Sequence, residues 1–244
     1  MAEQEADNPG LDRVRYELRA TGFKHSSINP QRSGVHSRGY LPHVKRDGAN
    51  YFVTFRRADS LPKEVLLRYE SERADRLRVF YNARRMDRVT SESEATIHRD
   101  FLRKVERYLD TGAGACHLRK PEIAELVAGA LKYFNEQRYV LREWVVMPNH
   151  VHVLFWPMPQ YEVGEIVKSW KQFSSLRAKP ILGLPAGRFW QPESFDHWVR
   201  DDDERARIAR YIRNNPATAR LCARPEDWRW SSAWRGPSVH ATPS

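Results

Sequence analysis

Residues 139–156 limit the choice of fold more than any other stretch, because they read as two strands joined by a tight turn at Pro148-Asn149. The second strand, His150 to Trp156, is apolar apart from His150 and His152. Alternation along a strand sends both histidines to one face and Val151, Val153 and Phe155 to the other. Two imidazoles side by side on a rigid strand can clamp a divalent metal, and burying both without a partner is costly. On spacing alone such a pair is more often two hydrogen-bonded or exposed side chains than a metal site.

The flanking pattern extends the hairpin into a fold. Tyr51 to Arg56 has the β-branched and aromatic character of a strand. From Leu61 to Leu109 the chain is charged but helically spaced, with Ile97, Phe101, Val105 and Leu109 at four-residue steps, which predicts two helices joined at Thr90-Ser91-Glu92. Pro121 to about Glu136 forms a helix with an apolar stripe of Ile123, Leu126, Val127 and Phe134. A second stripe of Val163, Ile166, Val167, Trp170, Phe173 and Leu176 ends in a loop holding Pro180, Gly183, Pro185 and Gly187. Phe195 to Arg200 is strand-like. Asp201 to Glu204 then starts a last helix through Ile208, Tyr211 and Ile212, which Pro216 should stop near Asn214 or Asn215.

Strand, helix, hairpin, helix, strand is the order of an α+β ferredoxin-like domain: an antiparallel sheet with helices on one face, a helical insertion at about 61–110 and a C-terminal helix. The other face stays open for the histidines and the last helix. Residues 1–48 are polar and turn-rich, as in a flexible lead-in; 49–235 form the domain and 236–244 a tail.

Lys and Arg number 41 against 31 Asp and Glu, a net charge of +10, which favours acidic partners, nucleic acid first among them. Two cysteines are too few for a disulfide framework or a cysteine zinc cluster and fit a cytoplasmic protein. No run of about 18 apolar residues marks a membrane span, and the first residues do not resemble a signal peptide.

Tyr211 and Asn215 lie four apart and share a helix face if the last turn stays helical. Two histidines, an amide oxygen and a tyrosine suit phosphoryl transfer, with a metal offsetting charge at phosphorus and a phenolate as nucleophile. Each piece has an ordinary alternative: Tyr211 is in register with Ile208 and Ile212 and fits core packing, and Asn215 before Pro216 fits a helix stop. Lys168 and Lys171, like Arg210 and Arg213, fit solvated helix surfaces.

The segment from Trp144 to Leu154 resembles the HUH signature of the single-tyrosine transposases, particularly the REP-associated tyrosine transposases. Further landmarks follow in the order that family shows: Ser169 to Ser174, Phe189-Trp190-Gln191-Pro192, Phe195-Asp196-His197, Arg200-Asp201, Tyr211 to Pro216, and Asp227 to Ser232. The resemblance implies that His150, His152 and Asn215 bind Mg²⁺ or Mn²⁺, with no nucleotide cofactor, and that Tyr211 is the nucleophile. Its substrate would be single-stranded or hairpin DNA, cleaved to a 5′-phosphotyrosine link and a free 3′-hydroxyl and then rejoined. Lys168, Trp170, Lys171, Arg188, Arg210 and Arg213 are the expected DNA contacts. A cytoplasmic, nucleoid-associated protein follows, monomeric or homodimeric. The rivals are a binder of folded single strands that no longer cuts, an RNA-binding module on the same fold, and a hydrolytic metal nuclease.

Overall fold

The computed structural model describes residues 48–86, 88, 92–184 and 186–236, together with the backbone of 34–38 and 41–45. In the latter, β1 (Gly34–Arg38) and β2 (Leu41–Lys45) pair as an antiparallel ribbon inside the stretch expected to be a lead-in. The rest of that lead-in and nearly all of the 236–244 tail lie outside the described residues.

The domain is built on four strands: β3 (Tyr51–Arg56), β4 (Tyr139–Val146), β5 (His150–Pro157) and β6 (Phe195–Trp198). They lie in the order β4-β5-β3-β6, with every neighbouring pair antiparallel, which is the ferredoxin-like arrangement. β5 is central and buried along its whole length, so its apolar run needs cover on both faces. On one face α3 (Pro121–Tyr133) and α4 (Val163–Leu182) pack Ile123, Val127, Ile166 and Trp170 over Val53, Phe55, Val151, Val153 and Phe155.

The opposite face is not left open. α5 (Asp202–Thr218) lays Ile208 and Ile212 on Val145, Met147 and Leu154. The insertion forms α1 (Lys63–Arg85) and α2 (Glu94–Asp110), and Phe101, Val105 and Leu109 of α2 pack with Leu61, Tyr69 and Phe195. No residue of α1 is buried; polar contacts help hold it to α2, among them Arg76 with Asp100 at 3.0 Å and Lys104 with Glu72. The β4 edge is closed by the chain after α5: Val146 N–H donates to Trp230 O at 2.9 Å and Ser232 N–H to Trp144 O at 2.9 Å.

Two helix ends differ from expectation. α5 continues through Pro216 to Thr218, because a proline in the last turn forfeits a single backbone bond and Ala219 N–H still reaches Asn215 O at 2.9 Å. α4 likewise runs past Pro180 to Leu182 and ends at Gly183, whose φ of 60° is the left-handed conformation that closes a helix. Among the described residues, no helix is long and apolar enough to cross a membrane.

Candidate functional site

β3 and β5 pair with Thr54 opposite His152, and β4 sets Val145 on its other side, so the strand register alone fixes the face that holds the imidazoles. Both histidines are 0% exposed. Burial lowers the His150 pKa to about 3 and that of His152 well below its usual value, the latter helped by repulsion from His150, so both rings are neutral near pH 7.

Their outer nitrogens are engaged. Asn149 Nδ2 donates to Leu109 O at 3.1 Å and Ala113 O at 2.9 Å, which leaves Asn149 Oδ1 to accept from His150 Nδ1–H at 2.7 Å. The Nε2 of His150 is therefore a bare lone pair. His152 Nδ1 meets Thr54 Oγ1 at 2.8 Å, and the two Nε2 atoms face each other at 3.0 Å. If Thr54 accepts, two lone pairs oppose one another; if it donates, His152 Nε2–H bonds to His150 Nε2.

The helix stripe of α5 delivers the other groups. Tyr211 packs edge-on to Phe52 and His152, with its Oη 3.3 Å from His152 Nε2. One turn on, Asn215 is 3% exposed; its carboxamide interacts with Tyr211, while its Oδ1 is buried without a hydrogen-bond partner. The turn stays helical past Pro216, so the four-residue spacing does bring the two side chains together.

Sequence spacing missed the contribution of α2. Glu106 hydrogen-bonds Tyr211, and burial followed by repulsion from Asp110 raises its pKa to about 7. Asp110 is pushed up to about 6 by burial and places Oδ1 3.9 Å from His150 Nε2. Tyr211 is held strongly in its neutral form, by burial first and then by these two carboxylates. Asn149 and Thr54 were missed as well. The available signal was that Glu106 and Asp110 each follow, by one residue, the buried positions Val105 and Leu109.

The donor set fits a divalent ion. Octahedral ligands at about 2.1 Å from Mg²⁺ sit about 3.0 Å apart when adjacent, which matches the 3.0 Å between the Nε2 atoms. The orphaned Asn215 Oδ1 supplies an oxygen. No group of three or more His, Cys, Asp or Glu side chains assembles among the described residues, so an amide has to complete the protein set.

The expected DNA contacts are scattered. Trp170 is corrected: it is 2% exposed, packs on Phe55 and Phe155 and donates Nε1–H to Tyr139 Oη at 2.8 Å, so it belongs to the core and offers no stacking surface. Lys168, Lys171 and Arg188 line a cavity of about 1270 Å³ between α4 and residues 187–196, away from the histidines. There Lys171 donates to Pro192 O at 2.8 Å, and burial and Arg56 lower its pKa to about 8. Arg213 is tied to Glu143 of β4, and Arg210 is exposed on α5.

Residues 118–215, which contain both histidines, Tyr211 and Asn215, match the family model described as Transposase IS200 like. The chain is 24% identical over 105 residues to the REP-associated tyrosine transposase of Escherichia coli (strain K12), a match covering 43% of this chain and 61% of that relative, less than two thirds of its length. A solved structure of a REP-associated tyrosine transposase bound to a REP hairpin aligns over 81% of each chain at 15% identity with a TM-score of 0.45. The likeness to REP-associated tyrosine transposases anticipated from the motifs is thus found again in the Escherichia coli relative, and residues 118–215 are similar to the IS200-like transposases.

Proposed function

We propose that the protein cleaves and rejoins single-stranded, hairpin-forming DNA through a 5′-phosphotyrosine intermediate at Tyr211, with His150, His152 and Asn215 holding Mg²⁺ or Mn²⁺. What carries this is the convergence of three groups: two imidazole Nε2 atoms 3.0 Å apart, with the Tyr211 hydroxyl 3.3 Å from one of them. A bound divalent ion would polarise the scissile phosphate and offset the charge that builds on it.

The chain's own groups do the rest. Burial and two carboxylates hold Tyr211 protonated, so ionisation has to coincide with attack. Glu106, hydrogen-bonded to that phenol and titrating near neutrality, accepts the proton. As the Tyr211 Oη–phosphorus bond forms, the bond to the 3′ oxygen breaks, and that oxygen takes a proton from water to leave as a 3′-hydroxyl. Attack of a 3′-hydroxyl on the phosphotyrosine restores the phosphodiester and the phenol. The amide of Asn215 touches the same tyrosine, coupling the ion's ligand set to the nucleophile.

Labelled hairpin-containing single-stranded DNA, incubated with Mn²⁺ and separated on a denaturing gel, tests this. Wild type should give a protein-linked band and Tyr211→Phe none, with DNA binding kept because a single hydroxyl is lost. Binding by wild type without a linked band would favour a recognition protein that does not cut, and two unattached DNA ends would favour a hydrolytic nuclease.

A further inference from the structure

We infer that Arg56, the last residue of β3, holds a DNA backbone phosphate that flanks the one being cleaved. This rests on the reading of the histidine face as a DNA-cleaving site proposed above. Strand register carries the placement: β3 sets Thr54 opposite His152 and Arg56 opposite His150, while Val53 and Phe55 turn to the helix-covered core. Arg57 N–H donates to Asn149 O at 2.9 Å, so the neighbouring Arg56–His150 pair is of the non-hydrogen-bonded kind, in which opposed side chains stand closest. Arg56 therefore leaves the sheet on the same face as the imidazoles, next to the first of them.

Its guanidinium is not fully engaged. Arg56 is 5% exposed, and its Nη1 is buried with no hydrogen-bond partner. Glu193 and Glu70 favour its charged form through their fields, but burial outweighs them and lowers its pKa to about 10, which leaves a cation near pH 7. The adjacent Arg57 is a contrast: its Nη1 donates to Phe189 O, its Nη2 meets His117 Nδ1 at 3.1 Å, and Asp59 lies 3.5 Å away. A buried cation with an idle donor is costly, and a guanidinium is shaped for phosphate oxygens, which supply both the missing acceptor and the missing charge. Lys171, on the wall of the basic cavity, feels the charge of Arg56, so Arg56 lies within reach of that cavity as well as beside His150. A strand that runs from one to the other passes it. Its charged neighbours are not the groups around Tyr211, so the phosphate it meets flanks the scissile one. Entry is past α1, none of whose residues is buried, and Glu70 of that helix is the carboxylate whose field the phosphate replaces.

The test is binding of labelled hairpin-containing single-stranded DNA by the full chain in chelator, over a salt series, for wild type, Arg56→Gln and Arg56→Lys, with the linked-product assay run beside it on wild type. Arg56→Gln should bind about tenfold more weakly. Its slope of log Kd against log salt should flatten by about 0.7, the loss of one phosphate contact on a single strand. Arg56→Lys, which keeps the charge, should keep the slope. The Tm of Arg56→Gln without DNA should equal or exceed that of wild type, since a buried charge has been removed. Single methylphosphonate substitutions along the oligonucleotide, each deleting one phosphate charge, should include a position other than the scissile one that weakens wild type and leaves Arg56→Gln unaffected. If Arg56→Gln melts lower than wild type, that position still decides, read at a temperature where both are folded. Wild-type affinity in Arg56→Gln, an unchanged salt slope, or no such position overturns the assignment. A linked band from wild type then leaves the proposed function standing, and no linked band overturns both.

Discussion

The site's residues sit in an environment that works against their charged forms, and titration exposes this. Glu106 has a folded pKa of about 7 against an ordinary 4.5. Its contribution to stability is complete below about pH 4.5 and is lost as pH rises through about 7, which amounts to about 3 kcal/mol for a buried carboxyl shifted this far. In chelator, Glu106→Gln should therefore gain stability relative to wild type as pH is raised from 4 to 8, by urea denaturation; parallel curves would show that Glu106 is not buried as described. His150 and His152, whose pKa values are lowered, lose stability as pH falls below their ordinary 6.5, and comparing variant with wild type cancels that contribution. At this scale local periods of two and four residues paired His150 with His152 and Tyr211 with Asn215, while periodicity alone favoured core packing for the tyrosine and only the resemblance to transposase motifs singled out the set. Thr54, Glu106 and Asp110 come from elements 40 or more positions away from His150 and His152, so only strand register and helix packing bring them in.

Among the elements, α5 matters most, since it carries both Tyr211 and Asn215. It rests on the sheet through Ile208 and Ile212, with Arg213 bound to Glu143 and Glu143 in turn accepting from Ser232 Oγ at 2.7 Å. Ile212 is 0% exposed, so Ile212→Ala should cost about 3 kcal/mol. If Tyr211 is the nucleophile as proposed, the same change should reduce covalent DNA attachment more than DNA binding, read by comparing linked product with gel shift; equal losses would mean that α5 does not position Tyr211 for attack. Element existence was legible from periodicity: Tyr51–Arg56 and Pro121 onward fall where the pattern puts them. The ends of α4 and α5 were not, because a proline signals a stop only when nothing beyond it packs, and Pro216 itself is buried. The cover that α2 gives the histidine face was illegible too. Its stripe shows that one side is buried, not against what.

For the molecule as a whole, one chain brings the entire constellation together: Tyr211 reaches a histidine of its own polypeptide at 3.3 Å. If that arrangement does the chemistry, mixing Tyr211→Phe with His150→Ala protein should not restore the linked band, because every active site then lacks one part. Recovery of activity in the mixture would show that helices are exchanged between copies. The lysines and arginine of the α4 cavity lie apart from this centre. A DNA strand engaging both would have to pass around the domain, and the net charge of +10 favours such a wrap.

Asn149 joins two histories that the chain could otherwise have kept separate. Its one amide satisfies backbone oxygens at the end of the insertion, Leu109 and Ala113, while its oxygen sets the ring beside it. Shortening the insertion would strand that amide, and replacing the asparagine would strand the carbonyls, so neither change is neutral while the other stands. A lineage that drops α1 and α2 is thereby freed to alter position 149, and one that keeps them is not. The residue before the first histidine should drift in step with a segment some 40 positions upstream.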